Sequence, residues 1–441
     1  MRKHRRYLFA LLFALALAVV AAGCGGGGGS TSTGAAGGTT GAANVSGSIS
    51  IMGIWVGKEQ KQFQKVIDAF NQQYPNVTVK YDPVGDNLPT VLSTAVEGGN
   101  PPDIAAPAQP GLIQGFVDSG AVQPIDFMQS DVQDNLGDSG VTLGTFGGKL
   151  YGVLYKANNK STVWYNSKAF SDAGVQPATD WDTFLQNAQT IKASGLPAYS
   201  IGGADGWTLT DLFENIYIRT AGPDKYDQLS THDIPWTDQS VKDALTEMAK
   251  IYGESDNIAG GTSGALQTDF PTSVGNVLSD KPKAAMVIEG DFVPSAVDTT
   301  LKPGEGYNVF AFPDINGSAK SVVIAGNIFV MFKDTPAARA WMQFSASADA
   351  AKAWAEQGGF SSPNKNLDPS VYPDPILRET ASALGSADVV RFDMSDLQPA
   401  AFGATTGQGE WKIFQDFLKN PSDIDGTANA LEQAAAKAYG S

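Results

Sequence analysis

Apolar and polar residues alternate along this chain with two different periods. Ile49 and Ile51 alternate with Ser48 and Ser50, the two-residue period of a strand, and lead to Gly53-Ile54-Trp55. Phe63, Val66, Ile67, Phe70 and Tyr74 follow at the spacing of one helical face, which Pro75-Asn76 ends. Val77, Val79 and Tyr81 alternate again. Leu88, Val91, Leu92, Ala95 and Val96 return to helical spacing as far as Gly98-Gly99, and Pro102-Asp103-Ile104 opens a short strand. Strand, helix, strand, helix, strand in this order needs crossover connections and predicts a layered α/β domain.

The middle of the chain differs. Leu150-Tyr151-Gly152-Val153-Leu154 is apolar, Lys156, Asn158, Asn159 and Lys160 interrupt it, and Val163-Trp164-Tyr165 resumes. A polar break between two strands of buried character predicts a segment that crosses an exposed cleft. Helical spacing then recurs three times. Thr179-Asp180-Trp181-Asp182 gives a capping pattern before Phe184, Leu185, Ala188 and Ile191. Leu209, Leu212, Phe213, Ile216 and Tyr217 form a second face, and Val241, Ala244, Leu245, Met248 and Ile251 a third. Ala284 to Ile288 reads as a buried strand, with further strands at 307–312 and 322–332. Thr335-Pro336 starts a helix, cap first and then proline. The last third reads as helical, with Trp411, Phe414, Phe417 and Leu418, then Leu431, Ala435 and Ala438. Strands at 307–332 after a helical block predict that the chain returns to the first domain before finishing in the second.

The first residues carry a different signal. A basic start (Met1 to Arg6), an apolar run from Leu8 to Ala22 and the small residues Ala21-Ala22-Gly23 precede Cys24, the only cysteine. This is the order of a bacterial lipoprotein signal, cleaved after Gly23 and lipidated on Cys24. The run is shorter than the roughly 18 apolar residues of a spanning helix, which disfavours a transmembrane anchor. Residues 25–43 are almost all Gly, Ser, Thr and Ala and predict a flexible tether spanning about 24 Å. Folded structure is expected from near Ser48. The remaining stretch of about 390 residues suits two domains better than one core.

Charge and composition then exclude several chemistries. Removing Arg2, Lys3, Arg5 and Arg6 from the 30 basic residues leaves 26 against 46 acidic ones, a formal charge of −20. Such a surface repels nucleic acid and is not drawn to anionic lipid. With Cys24 acylated, no thiol remains for disulfides, metal or nucleophilic work. His4 leaves with the signal, so a histidine-based triad or zinc site would rest on His232 alone, and its surroundings, Ser230 to Pro235, read as a solvated turn. The stretch Gly53 to Glu59 is one residue short of a phosphate-binding loop, with Glu59 where a hydroxyl would hold magnesium. Gly23 to Gly28 has the spacing of a dinucleotide fingerprint but lies in the tether. Asp423-Ile424-Asp425-Gly426 is too short for a calcium loop and reads as a helix cap. No cofactor and no metal are expected.

Two groups of residues remain. Asp211 with Glu214, and Glu289 with Asp291, are carboxylate pairs of the kind glycosidases use, although an acidic protein supplies many by chance. The aromatics are more telling. Trp55 and Phe292 stand at strand ends, while Trp207 and Trp411 open helices after Gly-rich turns. Strand ends and adjacent helix starts line the ligand crevice of α/β domains. Flat rings there stack on sugar faces while nearby polar groups bond the hydroxyls.

At these residues the chain resembles the extracellular solute-binding lipoproteins of carbohydrate ABC transporters, the maltose- and α-glucoside-binding type (solute-binding protein family 1). The segments that carry the likeness are Phe70 to Pro75, Gly98 to Ile104, Lys149 to Val153, Val163 to Asn166, Trp207 to Asp211 and Ala285 to Phe292. Glu214-Asn215 and Arg219 to Pro223 point toward the α-glucoside branch. The resemblance implies a two-lobed periplasmic-binding-protein-like fold, each lobe a layered α/β domain, with the ligand cleft between them. It implies a signal peptide at 1–23, lipidated Cys24 and linker at 24–47, lobe 1 at 48–154 plus 307–345, and lobe 2 at 155–306 plus 346–441. Ligand contacts are expected from Trp55, Lys58, Glu59, Gln109, Lys156, Asn158, Asn159, Trp207, Asp211, Glu289, Asp291, Phe292, Asn327 and Trp411. Some relatives have a carboxylate at the position of Asn159 and a tryptophan near Pro107; this chain has neither, so maltodextrin contacts do not transfer.

The expected function is that of a monomeric, non-enzymatic sugar receptor, tethered to the cell membrane by lipid, that closes on its ligand and delivers it to an ABC permease. Two alternatives differ from it: a secreted carbohydrate hydrolase using Glu289 or Asp211, and the same fold binding an osmolyte or peptide.

Overall fold

The computed structural model describes residues 44–440. The expected signal at 1–23, Cys24 and the tether up to residue 43 lie outside the described residues. The first strand, Gly47–Gly53, pairs in parallel with Val77–Pro83 on one side and Ile104–Ala106 on the other. The helices Gly57–Gln73 and Leu88–Glu97 make the two crossovers; the first buries Phe63, Val66, Ile67 and Phe70 as its spacing predicts, while the second buries Leu88 and Leu92 but leaves Val91 of its expected face exposed. Alternation decides which core each strand residue enters. Ile49, Ile51, Ile104 and Ala106 pack with Phe63 and Phe70 on one face, while Met52 and Ala105 pack with Leu88 and Leu92 on the other.

A long strand, Ser321–Met331, joins this sheet to the rest of the molecule. Its end runs antiparallel to Ile104–Ala106, and its middle pairs antiparallel with Gly152–Asn159. Its start lies parallel to Val389–Phe392, a strand that the helical reading of the last third does not anticipate. A second sheet has Thr162–Asn166 at its centre, flanked by Met286–Ile288 and Tyr307–Ala311, both antiparallel. Alternation works here too. Val163 and Met286 enter a large core with the helices Trp181–Ala193, Trp207–Ala221 and Gln239–Tyr252, while Trp164 and Val287 enter a smaller one with Val274 and Val293. The chain is thus a two-lobed α/β fold, with segments crossing between lobes at 152–166, at 311–331 and between Leu377 and Met394.

Two expected boundaries move. The stretch 307–311, expected in the first lobe, pairs along all five residues with Thr162–Asn166 in the second. The return to the first lobe is made by Ser321–Met331. The stretch after 345 is expected in the second lobe, yet Trp354 of the helix Ala348–Ala355 packs against Trp55 and Phe63, and Phe360, Tyr372 and Leu377 share their core. Periodicity identifies an element and its buried face but not the sheet that receives it.

The predicted helix starts are capped by the residues that the pattern singled out. Asp180 accepts from the Thr183 amide and Thr335 from Ala338, with Pro336 in the first turn. Asp423 accepts from Gly426, which accounts for the Asp-rich stretch there. His232 lies in a turn with φ 60°, but its ring faces Glu432 at 3.2 Å instead of open solvent.

Candidate ligand-binding cleft

A cavity of about 420 Å³ lies between the lobes, a volume typical of small-molecule sites. The crossing segments form its floor, with Lys156, Asn158 and Lys160 from one and Ala325, Gly326 and Asn327 from the other. Their close approach depends on glycine: a Cβ on Gly326 would sit 2.4 Å from the Lys156 carbonyl oxygen. The first lobe contributes the start of the helix Gly57–Gln73, with Lys58 and Glu59, and the strand-end loops that carry Asp86 and Gln109. From the second lobe come Trp207, Phe270, Phe292, Ser395, Asp396 and Trp411.

Three of the second-lobe rings form one cluster. Ring centres lie 5.1 Å apart for Trp207 and Phe270, 6.1 Å for Trp207 and Phe292, and 5.4 Å for Phe270 and Phe292. Trp411 joins this wall because Gly206, at φ 87°, has no Cβ; one added there would lie 2.6 Å from the Trp411 Cβ. The Trp207 indole N–H donates across the cleft to Asp86 at 3.3 Å. Three buried polar atoms of the lining have no protein partner among the described residues: the amide oxygens of Gln109 and Asn158 and the indole nitrogen of Trp411. Two acceptors and a donor beside a wall of rings suit a ligand that carries hydroxyl groups and an apolar face.

Charge in the lining is largely paired. Lys156 bonds Glu59 at 2.6 Å and stands 5.7 Å from the Phe292 ring centre. Lys160 is held by Asp211 at 2.9 Å and Asp393 at 2.5 Å, with its ammonium 5.3 Å from the Trp207 ring centre. Behind it, Glu214 accepts from the Tyr226 hydroxyl and from the amides of Met394 and Ser395. Burial raises the carboxyls of Asp211, Glu214, Glu289 and Asp396, and neighbouring carboxylates add to the rise. Burial pushes Asp393 up most strongly, but the Lys160 ammonium together with the bonds from the Ser395 hydroxyl and the Asp396 amide holds its carboxyl below the usual carboxylate range.

Of the residues expected to meet ligand, Lys58, Glu59, Gln109, Lys156, Asn158, Trp207, Phe292, Asn327 and Trp411 share this cavity. Five do not line it. Trp55 is fully buried in the first lobe, 4.6 Å from Phe63 and 4.8 Å from Trp354 between ring centres. Its position continues the alternation of Ile49 and Ile51 into the core, a signal the sequence did contain. Asn159 accepts from the Ser161 amide with its side chain and from Asp291 with its carbonyl, which fixes the crossing segment. Asp211 lies behind Lys160. Glu289 lines a separate cavity of about 20 Å³ inside the second lobe, with Tyr199 and Tyr252. Asp291 accepts from the Ser361 hydroxyl at 2.5 Å. Asp86, Lys160, Phe270 and Asp396 line the cleft but were not among the expected ligand contacts. Asp86 had a legible signal, an acid just past the end of the strand Val77–Pro83.

Comparison with known proteins gives a consistent picture. Residues 56–352 match the family model described as bacterial extracellular solute-binding protein. The osmoprotective compounds-binding protein GgtB of Synechocystis sp. is 32% identical over 395 residues, which covers 88% of this chain and 92% of that protein. The alpha-glucosides-binding periplasmic protein AglE of Rhizobium meliloti is 31% identical over 393 residues, covering 86% and 85%. Among solved structures, the bacterial solute receptor AcbH, with a preference for β-D-galactopyranose, superposes with a TM-score of 0.79 at 19% identity. That match covers 89% of this chain and 99% of AcbH.

Proposed function

We propose that this chain, which belongs to the family of bacterial extracellular solute-binding proteins, captures a sugar, an α-glucoside or short oligosaccharide, and delivers it to the permease of an ABC importer. The observation that carries this reading is one cleft where Trp207, Phe270, Phe292 and Trp411 line the same cavity as the amide oxygens of Gln109 and Asn158, which have no partner among the described residues. Both lobes contribute to the lining, so a bound ligand favours the closed arrangement by the contacts that it gains there. The likeness to AglE supports an α-glucoside in particular. Calorimetric titration with maltose, trehalose, sucrose and maltotriose is the test. Saturable binding of at least one is expected, and binding of none of them, with tight uptake of another solute class, overturns the sugar reading.

A second reading rests on GgtB, a relative of similar identity that is described by its osmoprotective ligands. An osmoprotectant panel with glycine betaine and small glycosides of polyols belongs in the same titration. The hydrolase alternative finds less support, because Asp211 and Glu289 lie behind the cleft wall, and Asp211 serves as a partner of Lys160. In this reading the receptor acts as a monomer, held at the membrane by lipid on Cys24 through the tether, which keeps it near its permease. Replacing Cys24 with Ser should release the protein from the membrane fraction into the soluble one. Retention of the variant on membranes counts against the lipid anchor.

A further inference from the structure

Phe292, a wall of the cleft, is followed by the short helix Val293–Ala296, whose Val293 belongs to a second-lobe core. This turn is gripped from the opposite lobe. The Lys58 ammonium donates to the carbonyl of Pro294 at 2.8 Å and reaches that of Val297 at 3.4 Å. The Gln62 amide donates to the Ser295 hydroxyl at 3.3 Å and to the carbonyls of Gln357 and Gly358 at 3.2 and 3.1 Å. Gln62 is a buried polar residue on the core face of the helix Gly57–Gln73, beside Phe63 and Val66. A lone glutamine is costly there unless its amide has work to do. Gly359 completes the grip. A Cβ at that position would lie 1.4 Å from the Ser295 hydroxyl oxygen and 2.5 Å from its Cβ.

We propose that Lys58, Gln62 and Gly359 form a dock on the first lobe that seats the turn 291–297 of the second, and so set the position of Phe292 in the cleft. They act as positioning residues. Lys58 directs two N–H groups to the turn's carbonyls, so its main role is to hold a ligand wall, and the sequence-based expectation of a direct sugar contact becomes secondary. Ligand affinity then depends on a seat whose central contact, Ser295 against Gly359, is protein on protein. The inference rests on the cleft being the ligand site, but the dock itself can be tested without ligand.

The experiment compares Gly359→Ala, Ser295→Gly, the double variant and Lys58→Met. Gly359→Ala inserts a methyl group where the Ser295 side chain sits, at a glycine with φ +61°. It should weaken sugar binding about tenfold or more and raise hydrogen exchange of amides 291–297 in the ligand-free protein. The double variant removes the clash and should recover both readouts, although the backbone strain of alanine at positive φ remains. Lys58→Met should raise exchange in the same segment and leave the second-lobe core protected. Two results overturn the dock: unchanged exchange at 291–297 in both Gly359→Ala and Lys58→Met, or a double variant no better than Gly359→Ala. If the wild-type protein binds no sugar, the functional reading fails, and the exchange measurements still decide the dock.

Discussion

Lys160 shows how a single side chain can hold one wall of the cleft. Its ammonium is shared by Asp211 and Asp393, both almost fully buried, while it lies under the Trp207 ring. Removing it leaves two buried carboxylates without a counter-charge, so Lys160→Met should cost about 3–5 kcal/mol in chemical denaturation. Trp207 offers a different test. It is the least buried tryptophan of the cleft wall and packs on Phe270 and Phe292. Trp207→Ala should weaken ligand binding by about 2 kcal/mol, roughly thirtyfold in Kd, as measured by calorimetry. The buried carboxyls also set a pH dependence. Burial pushes Asp205 and Asp291 up to about 6, and raises Glu289 and Glu410 as well. A carboxyl raised in the folded state holds its proton more tightly there than in the unfolded chain. Its stabilising contribution is therefore complete below about pH 4 and is lost as pH rises through about 6. Asp103, Asp238 and Asp393 are lowered and act in the opposite sense, but only below their ordinary range near pH 4. Thermal unfolding should therefore show a higher midpoint at pH 5 than at pH 8. A midpoint that climbs from pH 5 to pH 8 would contradict these assignments.

At the level of elements, the crossing strands are the most constrained part of the fold. Gly326 lets Ser321–Met331 lie against the Lys156 carbonyl, so Gly326→Ala should destabilise the protein by about 2 kcal/mol through overpacking and distort the cleft floor. Equilibrium denaturation and sugar titration of that variant check both effects. The elements were also where the sequence spoke most clearly. Strand and helix periods differ enough that Ile49-x-Ile51 and Phe63 to Phe70 could not be confused, and the caps at Asp180 and Thr335 are local chemistry. The strand Val389–Phe392 was hidden because four residues without a turn signal carry little period, and its partner lies about seventy residues earlier in the chain. The same distance limit governed the site. Rings at strand ends and helix starts were legible from their positions. The pairing of Lys160 with Asp393 was not, since nothing local joins residues 233 apart. Trp55 shows the opposite error: it occupies a strand end, but the alternation of its own strand assigns it to the core.

At the scale of the whole molecule, both lobes were predictable as α/β layers, while their borders were not. Which sheet receives 307–311 or the helix Ala348–Ala355 depends on packing partners far away in sequence. Ligand should draw the lobes together, so small-angle scattering is expected to show a smaller radius of gyration with saturating sugar, and an unchanged radius would speak against closure around the ligand. Ser321–Met331 gives that motion its character. The strand is bonded within the first sheet at one end and to Val389–Phe392 at the other, with Gly152–Asn159 alongside. Because its two ends are bonded to different neighbours, relative movement of the lobes has to be taken up along this strand and the segments beside it. The lobes should therefore move as two bodies about this joint, between one ajar and one shut arrangement. A donor and acceptor dye placed one on each lobe would then report just two distances, exchanging without a continuum between them.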